Sequence, residues 1–189
     1  MTPKLFVSAN EYLRDSWRLA RQVLDSGWLP QDLIALWRGG APVGVAVHEF
    51  LHYHGLRLRH RVLKCQSYTG IGTRSHEVVF EDAEDIFSSV ARGSRLLVVD
   101  DVFDTGNTAR ALFERLAPLG ADVRLATVYW KPNRNVTDIK PDYYVRQTEE
   151  WIVFPHELDG LTPDEAVLKD PVIRDLLSPA FLSRRPSEL

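Results

Sequence analysis

Apolar residues recur along this chain in two rhythms, a helical one and a short unbroken one, and the two alternate. Ser8-Ala9-Asn10-Glu11 has the form of a capping box, and Leu13, Trp17, Ala20 and Leu24 follow at helical spacing up to Gly27. The run 33–37 (Leu-Ile-Ala-Leu-Trp) is apolar without interruption and stops at Arg38-Gly39-Gly40, which predicts a strand entering a tight turn. Pro42 then opens a helix that reaches about Gly55.

The rhythms repeat downstream. Residues 60–68 read as a strand, and Thr69 to Ser75 have the composition of a mobile loop. Residues 95–101 form a nearly continuous apolar strand that ends in two acids. A helix follows, with Leu112, Phe113, Leu116 and Leu119 on one face and Gly120 as its stop. Residues 123–130 and 142–146 predict two more strands. Apolar strands alternating with helices imply an α/β fold, a mainly parallel twisted sheet covered on both faces. From 158 onward the pattern is partly helical (163–168 and 171–177) and ends in a polar segment.

Composition changes this picture little. With 189 residues the chain fits one compact domain with short extensions. Its net charge of −3 provides no field for non-specific nucleic-acid binding, so an anionic ligand must be held by local groups. Cys65 stands alone and cannot form an internal disulfide, which suits a reducing compartment. The start of the chain lacks the apolar run of a signal peptide, and no segment approaches membrane-spanning length. The expected location is the cytoplasm, with neither nucleic acid nor membrane as partner.

The densest chemistry lies in residues 97–108, Leu-Val-Val-Asp-Asp-Val-Phe-Asp-Thr-Gly-Asn-Thr. A buried strand here delivers Asp100 and Asp101 to its C-terminal end, where open α/β sheets bind ligands. The chain then turns through Asp104 to Thr108 into a helix whose first amides lack partners and whose dipole favours negative charge. Thr105 and Thr108 add hydroxyls, and Gly106 lets the backbone approach closely, so the segment has the makings of a phosphate cradle.

Every position of this stretch resembles the binding signature for phosphoribosyl pyrophosphate (PRPP) in type I phosphoribosyltransferases, and the resemblance extends from about Leu33 to Pro155. It implies a single phosphoribosyltransferase domain over 1–157, with a small hood from parts of both terminal segments, and a C-terminal extension over 158–189. It implies that Asp100 and Asp101 lie under the ribose hydroxyls, with Asp101 near the Mg²⁺ that accompanies pyrophosphate. Thr105, Gly106, Asn107 and Thr108 would hold the 5-phosphate, and Asp104 would act at purine N7 as the catalytic residue. Arg38-Gly39-Gly40 resembles the family's pyrophosphate loop, which often carries a non-proline cis peptide. Ser67-Tyr68 resembles the start of the flap that closes over PRPP.

Three further residues resemble the purine branch, the xanthine-guanine and hypoxanthine-guanine enzymes. Lys131, directly after a strand, would donate to the oxygen at C6 and reject a 6-amino group. Trp151 would stack on the purine, and Ile152 would offer backbone groups to its edge. The implied reaction joins PRPP to a 6-oxopurine, with Mg²⁺ as cofactor, in a homodimer or homotetramer. A phosphoribosyltransferase for another base, or a homologue that senses PRPP without turnover, would carry much of the same signature.

One motif competes. His48-Glu49-Phe50-Leu51-His52 spells H-E-x-x-H on a predicted helix, the pattern of zinc proteases. Val43, Ala46, Val47, Phe50 and Leu51 form that helix's apolar stripe, which leaves His48, Glu49 and His52 on its solvated side. A third ligand would have to come from His54, His60 or Glu77, none at a recognisable spacing. The expectation is a polar helix surface.

Overall fold

In the computed structural model, residues 4–69, 76–81 and 83–176 are described. They divide into two compact units, Leu13–Glu149 and Met1–Tyr12 with Glu150–Leu189.

The larger unit is built on a six-stranded sheet. Its strands are β2 (Asp32–Trp37), β3 (Arg59–Thr69), β4 (His76–Glu81), β5 (Arg95–Phe103), β6 (Asp122–Trp130) and β7 (Tyr143–Gln147), in the order β4-β3-β2-β5-β6-β7. All neighbouring pairs are parallel except β3 with β4. The α/β architecture and the mainly parallel sheet agree with the sequence pattern. Helices α1 (Ala9–Asp25), α2 (Gly40–Tyr53), α3 (Ala83–Ser89) and α4 (Asn107–Leu116) connect the strands. Successive residues of β2 point to opposite faces. Ile34 and Leu36 enter a core with Phe87, Leu96, Val98, Leu112 and Leu116, whereas α2 packs on β2 and β5 with Val43, Val47 and Leu51 buried.

In the larger unit two elements lie where the sequence pattern is silent, as the short strands Lys4–Phe6 and Trp151–Val153 do in the smaller one. Strand β4, His-Glu-Val-Val-Phe-Glu, neither alternates nor forms a long apolar run, and helix α3 has only seven residues, too few for a helical period to show. Pairing supplies what periodicity lacks: β4 lies antiparallel on β3, with Ser67 opposite Val78 and Tyr68 opposite Glu77. Ser67 and Tyr68 thus belong to strand backbone, while the rest of the glycine-rich segment after Thr69 lies outside the described residues.

The face of α1 differs from the one its spacing predicts. The capping box forms, with Ser8 and Glu11 exchanging backbone-to-side-chain bonds of 3.3 Å. Ala20 of that stripe is buried, but Leu13 and Trp17 are exposed, and the helix buries Asp15, Ser16, Leu19 and Val23 in their place. The carboxylate of Asp15 is fully buried, and it accepts from Arg18 Nη1 at 2.6 Å and from Arg146 Nε on β7 at 2.5 Å. A charge on the inner face is tolerated because two guanidiniums replace its hydration.

In the smaller unit β1 (Lys4–Phe6) pairs in parallel with β8 (Trp151–Val153). Helices α5 (Pro163–Lys169) and α6 (Ile173–Leu176) follow. Thr162 and Glu165 form a complete capping box on α5, and Val153, Leu161 and Ala166 make a small core with Phe6 and Ile173 against it.

Asp15→Ala removes the shared acceptor of two arginines. We expect it to lower unfolding free energy by about 2–3 kcal/mol, since Arg146 stays partly solvated. Urea denaturation followed by tryptophan fluorescence checks this, and a loss below about 0.5 kcal/mol would mean that the pair is structurally idle.

Candidate active site

The C-terminal ends of β2, β5 and β6 carry the site. Strand β2 ends at Trp37, and the peptide bond from Trp37 to Arg38 is cis, as the resemblance implies for this loop. Arg38 is exposed at the turn. Gly39 and Gly40 follow at the start of α2, and both abut β5. A Cβ placed on Gly39 would overlap the Asp101 carboxylate, and one on Gly40 would lie 2.5 Å from the Val99 carbonyl oxygen. These two glycines are needed for contact, since the loop rests directly on the acidic strand end.

Strand β5 delivers the acids in sequence. Asp100 Oδ1 accepts from the Asp101 backbone at 2.9 Å, and Asp101 Oδ1 accepts from the Val102 backbone at 2.8 Å. Asp101 is buried, and Asp100 is hemmed in by protein on most sides. Burial, and then the adjacent Asp101 carboxylate, push the Asp100 carboxyl well above the ordinary aspartate range. The same two acids, added to burial, push the Cys65 thiol up to about 12. Its Sγ lies 3.7 Å from the Trp37 carbonyl oxygen. Cys65 is therefore an unreactive neighbour of the site.

Beyond β5 the chain turns at Gly106, whose φ of 82° belongs to the left-handed region, and starts α4 without any side-chain cap. A Cβ there would collide with Thr137 Oγ1 and Asn135 Oδ1. Thr137 and Asn135 sit in a segment that braces the turn from outside. The Val136 amide donates to the Thr105 carbonyl at 3.0 Å, and Asn135 Oδ1 accepts from the Thr137 amide at 3.0 Å. The Asn107 amide donates to Thr105 Oγ1 at 3.4 Å, and the first turn of α4 presents the positive end of its dipole. A cavity of about 290 Å³ lies there, bordered by Asp100, Asp104, Thr105, Gly106, Asn107 and Thr108 among others. The four residues expected to hold the 5-phosphate thus line one cavity with one of the paired acids, whereas Arg38, Gly39 and Gly40 of the pyrophosphate loop are not on its wall.

Lys131 follows β6 and is almost wholly buried, with 5 % of its side chain exposed. A solvated surface lysine, the plain alternative, is ruled out. Its backbone amide donates to the Phe103 carbonyl at 2.9 Å, and its Nζ lies 3.9 Å from Asp104 Oδ2. Asp104 has a second cation, Arg134, whose Nε stands 2.9 Å from Oδ1 without the angle of a hydrogen bond. Arg134 lies in a short 3-10 turn, Pro132–Arg134. That turn is held by Glu149, which accepts from the Asn133 amide at 3.1 Å.

Sequence reasoning missed two residues of this site. Arg134 carries no motif, and only the turn brings it back to Asp104. Thr127 is the cross-strand partner of Asp100, lines the same cavity, and has a buried hydroxyl without a hydrogen-bond partner. Alternation along β6 from Leu125 would have placed it on the cavity face, but nothing in the sequence says which face holds the ligand.

In the smaller unit Trp151 opens β8 with 56 % exposure, whereas Ile152 is buried. The exposed tryptophan agrees with its reading as something other than core. The H-E-x-x-H residues lie on α2, with His48 partly buried and Glu49 and His52 exposed.

The raised Asp100 carboxyl makes ligand-free stability pH-dependent. An unfolded aspartate gives up its proton near pH ~4, whereas the folded one keeps it to higher pH. The folded state therefore binds more protons in that window, and stability falls as pH rises through it. Asp100→Asn should melt above the parent at pH 7, with the gap closing towards pH 4. Scanning calorimetry at several pH values measures this, and a constant gap would contradict the assignment.

Residues 8–160 match the phosphoribosyl transferase domain. A hypoxanthine-guanine phosphoribosyltransferase of Lactococcus lactis is 30% identical over 142 residues, 74% of each chain. A xanthine-guanine phosphoribosyltransferase of Idiomarina loihiensis is 32% identical over 161 residues, covering 82% of this chain and 88% of that one. Among solved structures, a purine phosphoribosyltransferase from Pyrococcus horikoshii superposes with a TM-score of 0.64 at 28% identity, covering 82% of this chain and 94% of its own. With its acidic strand end, uncapped helix and glycine loop, this chain belongs to the phosphoribosyltransferase family and has its type I fold.

Proposed function

We propose that this enzyme transfers the ribose 5-phosphate of PRPP to a 6-oxopurine base, giving the nucleoside 5′-monophosphate and pyrophosphate. The observation that carries the base class is Lys131, an amine withdrawn from solvent beside Asp104, which lines the phosphate cavity. A lysine ammonium only donates hydrogen bonds, so the group it reads on the base must be an acceptor. A C6 carbonyl oxygen is such an acceptor, and a 6-amino group is not.

In this reading the turn from Thr105 to Thr108 holds the 5-phosphate with backbone amides and two hydroxyls. Arg38, Gly39 and Gly40 receive pyrophosphate, and Ser67 and Tyr68 begin the flap that shields it. Asp100 and Asp101 lie under the ribose. As pyrophosphate departs, positive charge develops at C1′, and the paired carboxylates stabilise it. Asp104 accepts the proton from purine N7. Lys131 and Arg134 flank Asp104 and orient its carboxylate. Trp151 stacks on the base, and Ile152 offers its backbone to the base edge.

Mg²⁺ suits the donor set, because adjacent carboxylates are hard oxygen ligands. Asp101, with Asp100 beside it, would hold the ion, which neutralises charge on the leaving pyrophosphate when bound. The relatives' names support the purine branch and leave hypoxanthine, guanine and xanthine unranked. No helix among the described residues is long and apolar enough to cross a membrane. We take the cytoplasm as the site of action and a homodimer or homotetramer as the working form.

Two variants test the roles. Asp104→Asn should lower turnover by ~10²-fold or more while PRPP still binds, as removal of a proton acceptor does. Pyrophosphate release with PRPP, Mg²⁺ and a panel of free bases reports it, and undiminished turnover would refute the role. Lys131→Ala should chiefly raise KM for hypoxanthine and guanine. Equal affinity of parent and variant for every purine would sink the base assignment, as would parent turnover confined to adenine, uracil or orotate.

A further inference from the structure

The H-E-x-x-H motif on α2 is left unused by the transferase reaction, and the structure gives it a setting. Strand β2 separates it from the phosphate cavity. Leu36 lines that cavity, whereas Leu33 and Ala35, pointing the other way, line a second one of about 330 Å³ together with Val45, His48 and His60. The two sites thus lie on opposite faces of the sheet.

Around the second cavity three donors converge. The ligating atoms of His48, Glu49 and His52 all lie within 4.8 Å of one another. His48 and His52 are one helical turn apart, with ring centroids separated by 5.7 Å. His48 Nδ1 stands 3.4 Å from Glu49 Oε1, the separation of about 3.3–3.5 Å that two ligands keep on a tetrahedral zinc ion. His60, from β3, packs edge-on against His48 with centroids 4.5 Å apart and limits the rotation of that ring. Arg61, also on the cavity wall, donates to the His60 carbonyl oxygen at 2.7 Å, which ties up one guanidinium nitrogen.

We propose that His48, Glu49 and His52 form a surface site for a borderline d-block cation of the Zn²⁺ class, separate from the Mg²⁺ required for transfer. Two imidazoles and a carboxylate suit Zn²⁺, Ni²⁺ or Co²⁺ and select against Mg²⁺, which prefers oxygen-only octahedra. Three protein donors leave at least one position open, and the adjoining cavity has room for water or a small anion there. No hydrolytic role is implied, and binding at this site does not depend on the purine reading.

The test uses untagged, chelator-treated full-length protein in excess Mg²⁺, which keeps the oxygen site occupied. One Co²⁺ per chain should give the intense visible bands of a four-coordinate ion, and Zn²⁺ should displace it. His48→Ala and His52→Ala should each weaken Zn²⁺ binding by ~10-fold or more, with phosphoribosyl transfer unchanged. His54 is the control, since its Nδ1 is engaged with the Phe50 carbonyl at 2.8 Å. His54→Ala should bind Zn²⁺ like the parent. The proposal is overturned if the parent shows no saturable Zn²⁺ or Co²⁺ binding, if the double variant H48A/H52A binds as the parent does, or if His54→Ala loses as much affinity.

Discussion

The site depends on one contact, the seating of two glycines on two carboxylates. Gly39 occupies space that any Cβ would contest with Asp101, and Gly40 meets the backbone of Val99 and Asp100 in the same way. Because strands β2 and β5 are parallel neighbours, both chains leave the sheet at the same end and their loops must share that space. The contact sets the end of β2 beside the acids at the end of β5. An alanine at 39 would have to push the carboxylate aside, so geometry and chemistry are fixed by the same absence of a side chain.

Charge is then arranged by burial. Asp100 and Asp101 stand so close, and so far withdrawn from water, that Asp100 holds its proton more tightly than an ordinary aspartate. That arrangement is costly when empty and favourable beneath a cationic ribose or a metal-bound diphosphate. Asp104, a few residues on, has the opposite surroundings, with Arg134 and Lys131 nearby and a third of its side chain exposed. Three aspartates within five residues thereby have distinct surroundings. The start of α4, without a side-chain cap at Gly106, turns the positive end of its dipole to the same cavity.

A second functional surface on the far face of the sheet costs the transferase nothing. Helix α2 turns its apolar stripe to β2 and β5, and its outer face is free to carry histidines at one-turn spacing. The glycines at its start belong to one site and the imidazoles near its end to another, a division possible because a helix of fourteen residues has two ends and two faces.

Much of this was legible in the chain. The apolar run before Asp100, the Asp104–Thr108 turn and the Gly39-Gly40 pair are local, and local patterns of burial and turn chemistry determine strand, loop and helix start directly. The sequence by itself also determined that Lys131 follows a strand and that Gly120 is the stop after Leu119, although the α-helix ends at Leu116 and Ala117–Leu119 is a 3-10 turn, with Pro118 in it. Only the tertiary structure decided the inner face of α1, where a buried Asp15 displaces Leu13 and Trp17 because Arg146, 131 positions away, reaches it. It alone brought Arg134 to Asp104, gave Thr127 its place opposite Asp100, and raised β4 from a six-residue stretch without a readable period. The reason is the same in each case: a local pattern records what a residue prefers, whereas pairing across the sheet and compensation of buried charge depend on partners the pattern does not contain.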